Sequence, residues 1–199
     1  MATEEITRED ALSRVGYRHA CHIMLYADTT AKLFRKIPIK HVVLMQMRFD
    51  GFFGFPGGLV NPLEETLEVG LSRELKEEVG VAIPVSEEDH LSSCLHQSPS
   101  HIITHFYAKK LEESELRDIE KAAVATADDH GLEVMGMVRV PLYFLKDGGG
   151  LPRFLSHSFI SNCRSQLLFA LRHLGLVSKE ELERAKKQAD RLRHATNCQ

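Results

Sequence analysis

The chain has 199 residues, 43% hydrophobic and 27% charged, with a formal net charge of −3. This composition reads as soluble and globular, and it excludes a protein that is basic overall, so any nucleic-acid contact must come from local patches. No apolar run approaches the ~18 residues of a membrane span, and the acidic start MATEEITRED lacks the apolar core of a signal peptide.

A chain this long buries roughly 70% of its unfolded surface and needs no staples. It divides into an N-terminal segment 1–16, one main domain over 17–177 and a basic C-terminal helix or tail over 178–199. Cys21, Cys94, Cys163 and Cys198 show no CxxC spacing, which suits free thiols in a reducing compartment. There is no internal repeat and no low-complexity segment.

Tyr17 to Ala27 (YRHACHIMLYA) predicts a strand, with His19, Cys21, Ile23 and Leu25 on one face and Ala20, His22, Met24 and Tyr26 on the other. A histidine in such a strand is more often a satisfied core or edge residue than a ligand. His41 to Phe49 (HVVLMQMRF) predicts a second strand. Arg48, near its end, reads equally as a surface charge or as a phosphate or base contact. Phe52 to Pro56 predicts a short strand leading into Gly57-Gly58.

The informative stretch is GGLVNPLEETLEVGLSRELKEEVGV, Gly57 to Val81. It predicts a helix from about Thr66 to Val79, with Thr66 (or Asn61, followed by Pro62 and Glu64) as N-cap and Gly80 as a left-handed stop. Leu67, Leu71, Leu75 and Val79 form one apolar stripe at ~100° per residue. Glu74, Glu77 and Glu78 are spaced i, i+3, i+4 and share a neighbouring face. Three like charges on one face repel unless a cation sits among them. Such a set suits a hard ion, Mg²⁺ or Mn²⁺, which keeps waters and binds phosphate oxygens. A charge run usually means a solvated face, but Arg73 within it and the glycines on both sides argue against that.

Further on, Ser92 to Gln97 and Ile102 to Lys109 predict a hairpin around Ser98-Pro99-Ser100. Ser114 to Ala125 predicts a helix, Asp128 to Gly131 a loop and Leu132 to Pro141 a strand. Gly148-Gly149-Gly150 and Pro152 predict a flexible loop, and Ser158 to Leu174 a helix. Ser178-x-x-Glu181 is a capping box for a last helix that carries Arg184, Lys186, Lys187, Arg191 and Arg193. That basic run reads as a solvated face, an RNA-backbone contact or a nuclear address. Strands on either side of one acidic helix, with more helices near the end, make an α/β protein with a mixed sheet.

Arg73 to Val81 resembles the second half of the Nudix hydrolase box, G-x5-E-x7-R-E-U-x-E-E-x-G-U with U apolar, at every specified position. With that half as anchor, the expected glutamate falls on Glu65. The expected glycine falls on Leu59, so the loop carries one extra residue and Gly57 or Gly58 takes the glycine's part. The resemblance implies the Nudix α/β/α sandwich with a loop-helix-loop catalytic motif. It implies Mg²⁺ or Mn²⁺, two or more ions, with Co²⁺ also admissible, and water attack on a phosphorus of a pyrophosphate linkage. Carried over residue by residue, it makes Glu74, Glu77, Glu78 and the Gly57 carbonyl metal ligands. Glu74, Glu77, Glu78 and Glu133 are then the catalytic candidates, with Glu77 a ligand or base and Glu133 a second base candidate. Arg73 orients the glutamates by ion pairing.

Outside the box, FDGFFGFPGGLV, HFYAK, DHGLEV, VRVPLY, GGGLP and SFI resemble the branch of that family that decaps small nucleolar RNA. That resemblance runs from about Tyr17 to Leu174. It implies removal of an m7G cap as m7GDP, leaving 5′-monophosphate RNA, and hydrolysis of inosine and deoxyinosine diphosphates. It also implies binding of purine nucleotides such as m7GDP, GTP and IDP, a homodimer, no membrane association and a nuclear place. That place is the nucleolus or nucleoplasm, with some cytoplasmic presence admitted. His22, Arg48, Phe55, Gly58, His96 and Gln166 are its substrate-binding candidates. Phe55 reads equally as a base-stacking ring or a core aromatic, Gln166 as a purine-edge contact or an exposed residue. Against RNA decapping stand a house-cleaning nucleoside diphosphatase and an RNA-binding domain without turnover.

Overall fold

The computed structural model describes residues 3–96 and 101–196. The strands are β1 (Thr3–Ile6), β2 (Arg18–Asp28), β3 (Lys32–Leu33), β4 (Ile37–Pro38), β5 (His41–Arg48), β6 (Phe53–Gly54), β7 (Gly57–Val60), β8 (His90–His96), β9 (Ile102–Lys110) and β10 (Val134–Arg139). The helices are α1 (Arg8–Ser13), α2 (Leu67–Val79), α3 (Glu113–Ala125), α4 (Leu151–Leu155), α5 (Cys163–His173) and α6 (Lys179–Thr196).

Eight strands form one mixed sheet in the order β1-β8-β9-β2-β5-β10, with β6 on β5 and β7 on β2. Among the described residues of this sheet, only β2 and β9 pair strand to strand in parallel; the other strand pairs are antiparallel. The period-2 alternation of β2 divides two cores. Cys21, Ile23 and Leu25 pack with α2 and α3 on one face. Met24 packs with α4, α5 and α6 on the other. Helices therefore cover both faces, and the architecture is the α/β/α sandwich.

The first and last elements of the described residues join this body. β1 pairs with β8, and Arg8 at the start of α1 reaches Glu68 and the Tyr107 hydroxyl, each at 2.8 Å. At the other end the capping box forms, with Ser178 Oγ donating to Glu181 at 2.9 Å. Helix α6 buries Leu182, Ala185 and Ala189 in the same core as α5. Arg164 pairs with Asp190 at 2.9 Å, and Arg193 donates to the carbonyls of Ser156 and His157.

Four local expectations change. The glycine pair expected in a loop is strand β7, because Gly57 to Val60 pair with His22 to His19. The helix expected from Ser158 starts at Cys163. Phe53 captures the preceding residues, donating to the Ser158 carbonyl and accepting from the Ile160 N–H, and Ser161 turns left-handed at φ 47°. Pro152 lies in the first turn of α4, where its missing N–H costs nothing, instead of in a loop. The expected strand Phe52 to Pro56 is paired only at Phe53 and Gly54. The hairpin forms from β8 and β9, and its turn at Ser98 to Ser100 lies outside the described residues, as do Gln97 and Cys198.

Candidate active site

Helix α2 starts and stops where its sequence dictates. Thr66 Oγ1 accepts from the Val69 N–H, and Gly80 ends the helix at φ 75°. Leu67, Leu71, Leu75 and Val79 are buried in the core. Asn61 caps no helix; its Oδ1 accepts from the Leu63 N–H in a local turn.

That packing turns the carboxylates toward β7. Glu78 is 5% exposed. Its Oε2 accepts from the Gly57 N–H at 2.6 Å and its Oε1 from Gln46 Nε2 at 3.0 Å. Burial pushes this carboxyl up to about 7, the charges of Glu74 and Asp129 push the same way, and the two hydrogen bonds pull it back. Burial also raises Glu74, against the pull of Arg73. The Glu74 carboxylate lies where a Cβ on Gly58 would be, its Oε2 2.2 Å from that position. Gly57, at φ 127°, runs so close to β2 that a Cβ would meet the Cys21 carbonyl at 2.1 Å.

Arg73 is the organiser. It donates to Glu65 at 3.0 Å, to Glu74 at 2.7 Å, to Glu77 at 3.4 Å and to the Leu59 carbonyl at 3.2 Å. One cation thus spans the loop, the helix and β7.

Two residues join this site that the sequence did not single out. Asp129 lies in the loop after α3, its N–H donating to the Glu77 carbonyl. Burial first, then the charges of Glu133 and Glu77, raise its carboxyl. Its signal was an acidic pair in a loop. Gln46 is a buried amide among the apolar residues of β5, and its Oε1 has no partner among the described residues. Glu133 is exposed, and its charge acts on Asp129.

No three His, Cys, Asp or Glu side chains converge tightly among the described residues. Arg73 holds Glu65, Glu74 and Glu77, and Gly57 and Gln46 hold Glu78. The donors still fit a hard divalent ion: all are oxygens, two are carboxylates raised by burial and by neighbouring negative charge, and the orphan acceptor Gln46 Oε1 stands beside Glu78.

Across β2 from α2 lies a cavity of about 60 Å³. His22, Arg48, Phe55 and Gln166 line it together, with Thr104 and Asn162. Burial, and then Arg48, hold the His22 imidazole down at about 4, so it is neutral. Arg48 is oriented by Asp50 at 3.0 Å. Phe55 is 2% exposed and packs on Phe106 with ring centres 5.0 Å apart. His96 does not line the cavity; its Nε2 meets Thr104 Oγ1, which does, at 3.0 Å.

A divided sandwich with R-E-L-K-E-E-V-G-V on its inner helix defines an enzyme of the Nudix type. A solved structure from Listeria innocua, "mutT/nudix family protein", superposes with a TM-score of 0.51 at 15% identity, covering 83% of this chain and all (100%) of the other. That likeness speaks for the fold. The family model described as "Nudt16-like: U8 snoRNA-decapping enzyme-like" matches residues 19–177, and the chain belongs to that family. The Xenopus laevis "U8 snoRNA-decapping enzyme" is 50% identical over 193 residues, 95% of this chain and 91% of the relative. The human "Tudor-interacting repair regulator protein" is 45% identical over 193 residues, 93% and 90%.

Proposed function

We propose that the chain removes the m7G cap of small nucleolar RNA by hydrolysing a pyrophosphate linkage, releasing m7GDP and 5′-monophosphate RNA. The observation that carries this reading is one strand pair. His22 of the cavity stands directly opposite Gly57, whose N–H holds Glu78. A base beside His22, Phe55 and Gln166 therefore has its diphosphate next to the carboxylates.

Glu74 and Glu78, with Glu77 and the Gly57 carbonyl, would hold Mg²⁺ or Mn²⁺. When bound, the ion supplies neutralisation of the diphosphate oxygens and acidifies water. The chain's own residues do the rest. Arg73 keeps Glu74 and Glu77 aligned. Burial of Glu78 excludes bulk water from one side of the site. Glu77, held by Arg73, and Glu133, whose charge acts on Asp129, are the base candidates. Arg48 answers phosphate charge, Phe55, a buried core ring, gives the base cavity an apolar wall, and Gln166 offers an amide to the purine edge.

Relatives of this chain carry two names, a decapping enzyme and an interacting regulator. The intact Glu74, Glu77 and Glu78 favour turnover, because a binder has no need of a repulsive carboxylate cluster. The same site would also accept inosine diphosphate. A homodimer and a nuclear, nucleolar place complete the proposal.

The test compares kcat/KM on m7G-capped RNA and on inosine diphosphate with Mg²⁺ or Mn²⁺ present. Turnover of the free nucleotide alone refutes decapping and leaves a house-cleaning diphosphatase. Turnover of neither leaves a binding protein.

A further inference from the structure

A second, larger cavity of about 570 Å³ opens at the start of β2, and the diphosphate chemistry does not use it. Its walls include Tyr17, Arg18, His19, Asn61, Glu64 and Arg73. Arg73 makes it a neighbour of the carboxylates.

Strand β2 sets the order of the parts. His22 pairs with Gly57 beside the base cavity, Cys21 with Gly58 beside Glu74, and His19 with Val60 at this pocket. From His22 to His19 is three residues, ~10 Å of strand. Along this strand Glu78 is level with the base cavity, and Glu74 lies between it and the larger pocket. A cap has the same order: a base and ribose, a chain of phosphates, then the first nucleotide of the RNA.

The pocket's chemistry suits that nucleotide. The Tyr17 ring packs against His101 at 5.7 Å. His19 is fixed by a hydrogen bond between its Nδ1 and His105 Nε2 at 2.9 Å, and His105 is held in turn by Ser93 at 2.8 Å. The wall is therefore rigid and partly aromatic, as base stacking requires. The Arg18 guanidinium pairs with no carboxylate among the described residues, so it is free for one phosphate. Asn61 and Glu64 offer acceptors to ribose hydroxyls, the groups that mark RNA. The Glu64 and Glu65 carboxylates oppose a bare polyphosphate, so the pocket fits a nucleoside with a single phosphate.

We propose that this pocket binds the first transcribed nucleotide of the capped RNA, on the far side of the scissile linkage from the cap base. The proposal rests on the decapping reading. Its test is binding, so that it stands apart from turnover. Arg18→Ala and Tyr17→Ala are compared with the unmodified protein for m7GDP and for a short capped oligoribonucleotide, by fluorescence anisotropy in Ca²⁺ to prevent hydrolysis. Arg18 is exposed, so its replacement leaves the fold intact even if Tyr17→Ala loosens it. The expected result is about tenfold weaker binding of the capped oligoribonucleotide, with m7GDP unchanged within about twofold. Equal losses for both ligands, or no loss for either, would overturn the pocket. Failure of the unmodified protein to cleave capped RNA would instead sink the decapping reading.

Discussion

The carboxylate site and the base cavity of this molecule are built in opposite ways. The first is almost contiguous: Gly57, Gly58, Glu65, Arg73, Glu74, Glu77 and Glu78 come from one stretch of chain. The second draws His22 from β2, Arg48 from β5, Phe55 from the segment after β6 and Gln166 from α5. A helix fixes its own spacings, so a carboxylate cluster follows from sequence order as soon as one face is pinned by apolar burial. A cavity exists only where several elements fail to fill the space between them, and that depends on the whole sandwich.

The comparison can be broken at either end. Glu78→Gln should lower kcat about 100-fold or more and leave nucleotide binding nearly intact, because it alters the carboxylate site alone. Loss of binding in that variant would show that the two regions are not separable. On the cavity side, Leu182→Ala should cost about 2–4 kcal/mol in denaturant unfolding. Leu182 of α6 shares its core with Cys163 and Leu167 of α5, so base binding should weaken before the carboxylate helix loosens.

The carboxylate region also carries a pH signature. Its buried Glu78 carboxyl is raised from 4.5 to about 7 in the fold. The folded chain then holds that proton more tightly than the unfolded chain does. Metal-free stability from this group is complete below pH 4.5 and is lost as pH rises through about 7, by about 3 kcal/mol. Glu78→Gln should flatten that decline in metal-free chemical denaturation. A decline of equal size in the variant would assign it to other groups. The smallest effect belongs to the cavity: Gln166→Leu should raise KM for the capped substrate about tenfold with little change in kcat. A fall in kcat with KM constant would move Gln166 from the base to the reacting atoms.

The sequence by itself determined the acidic helix. Its caps at Thr66 and Gly80, its buried leucine stripe and the position of Arg73 among three glutamates are all local, and local spacing decides them. The alternation in β2 likewise set which residues face which core. Other features were decided between elements distant in sequence. Phe53 took the backbone of Ser158 and Ile160 and so delayed α5 to Cys163. Gln46 became the partner of Glu78, and Asp129 a fourth carboxylate near it, because strand and loop meet α2 only in the folded sandwich. His96 lies behind Thr104 because β8 and β9 pair in that register. Spacing along a helix or strand is a property of the chain, whereas desolvation, cavities and cross-strand partners arise when separate elements pack together.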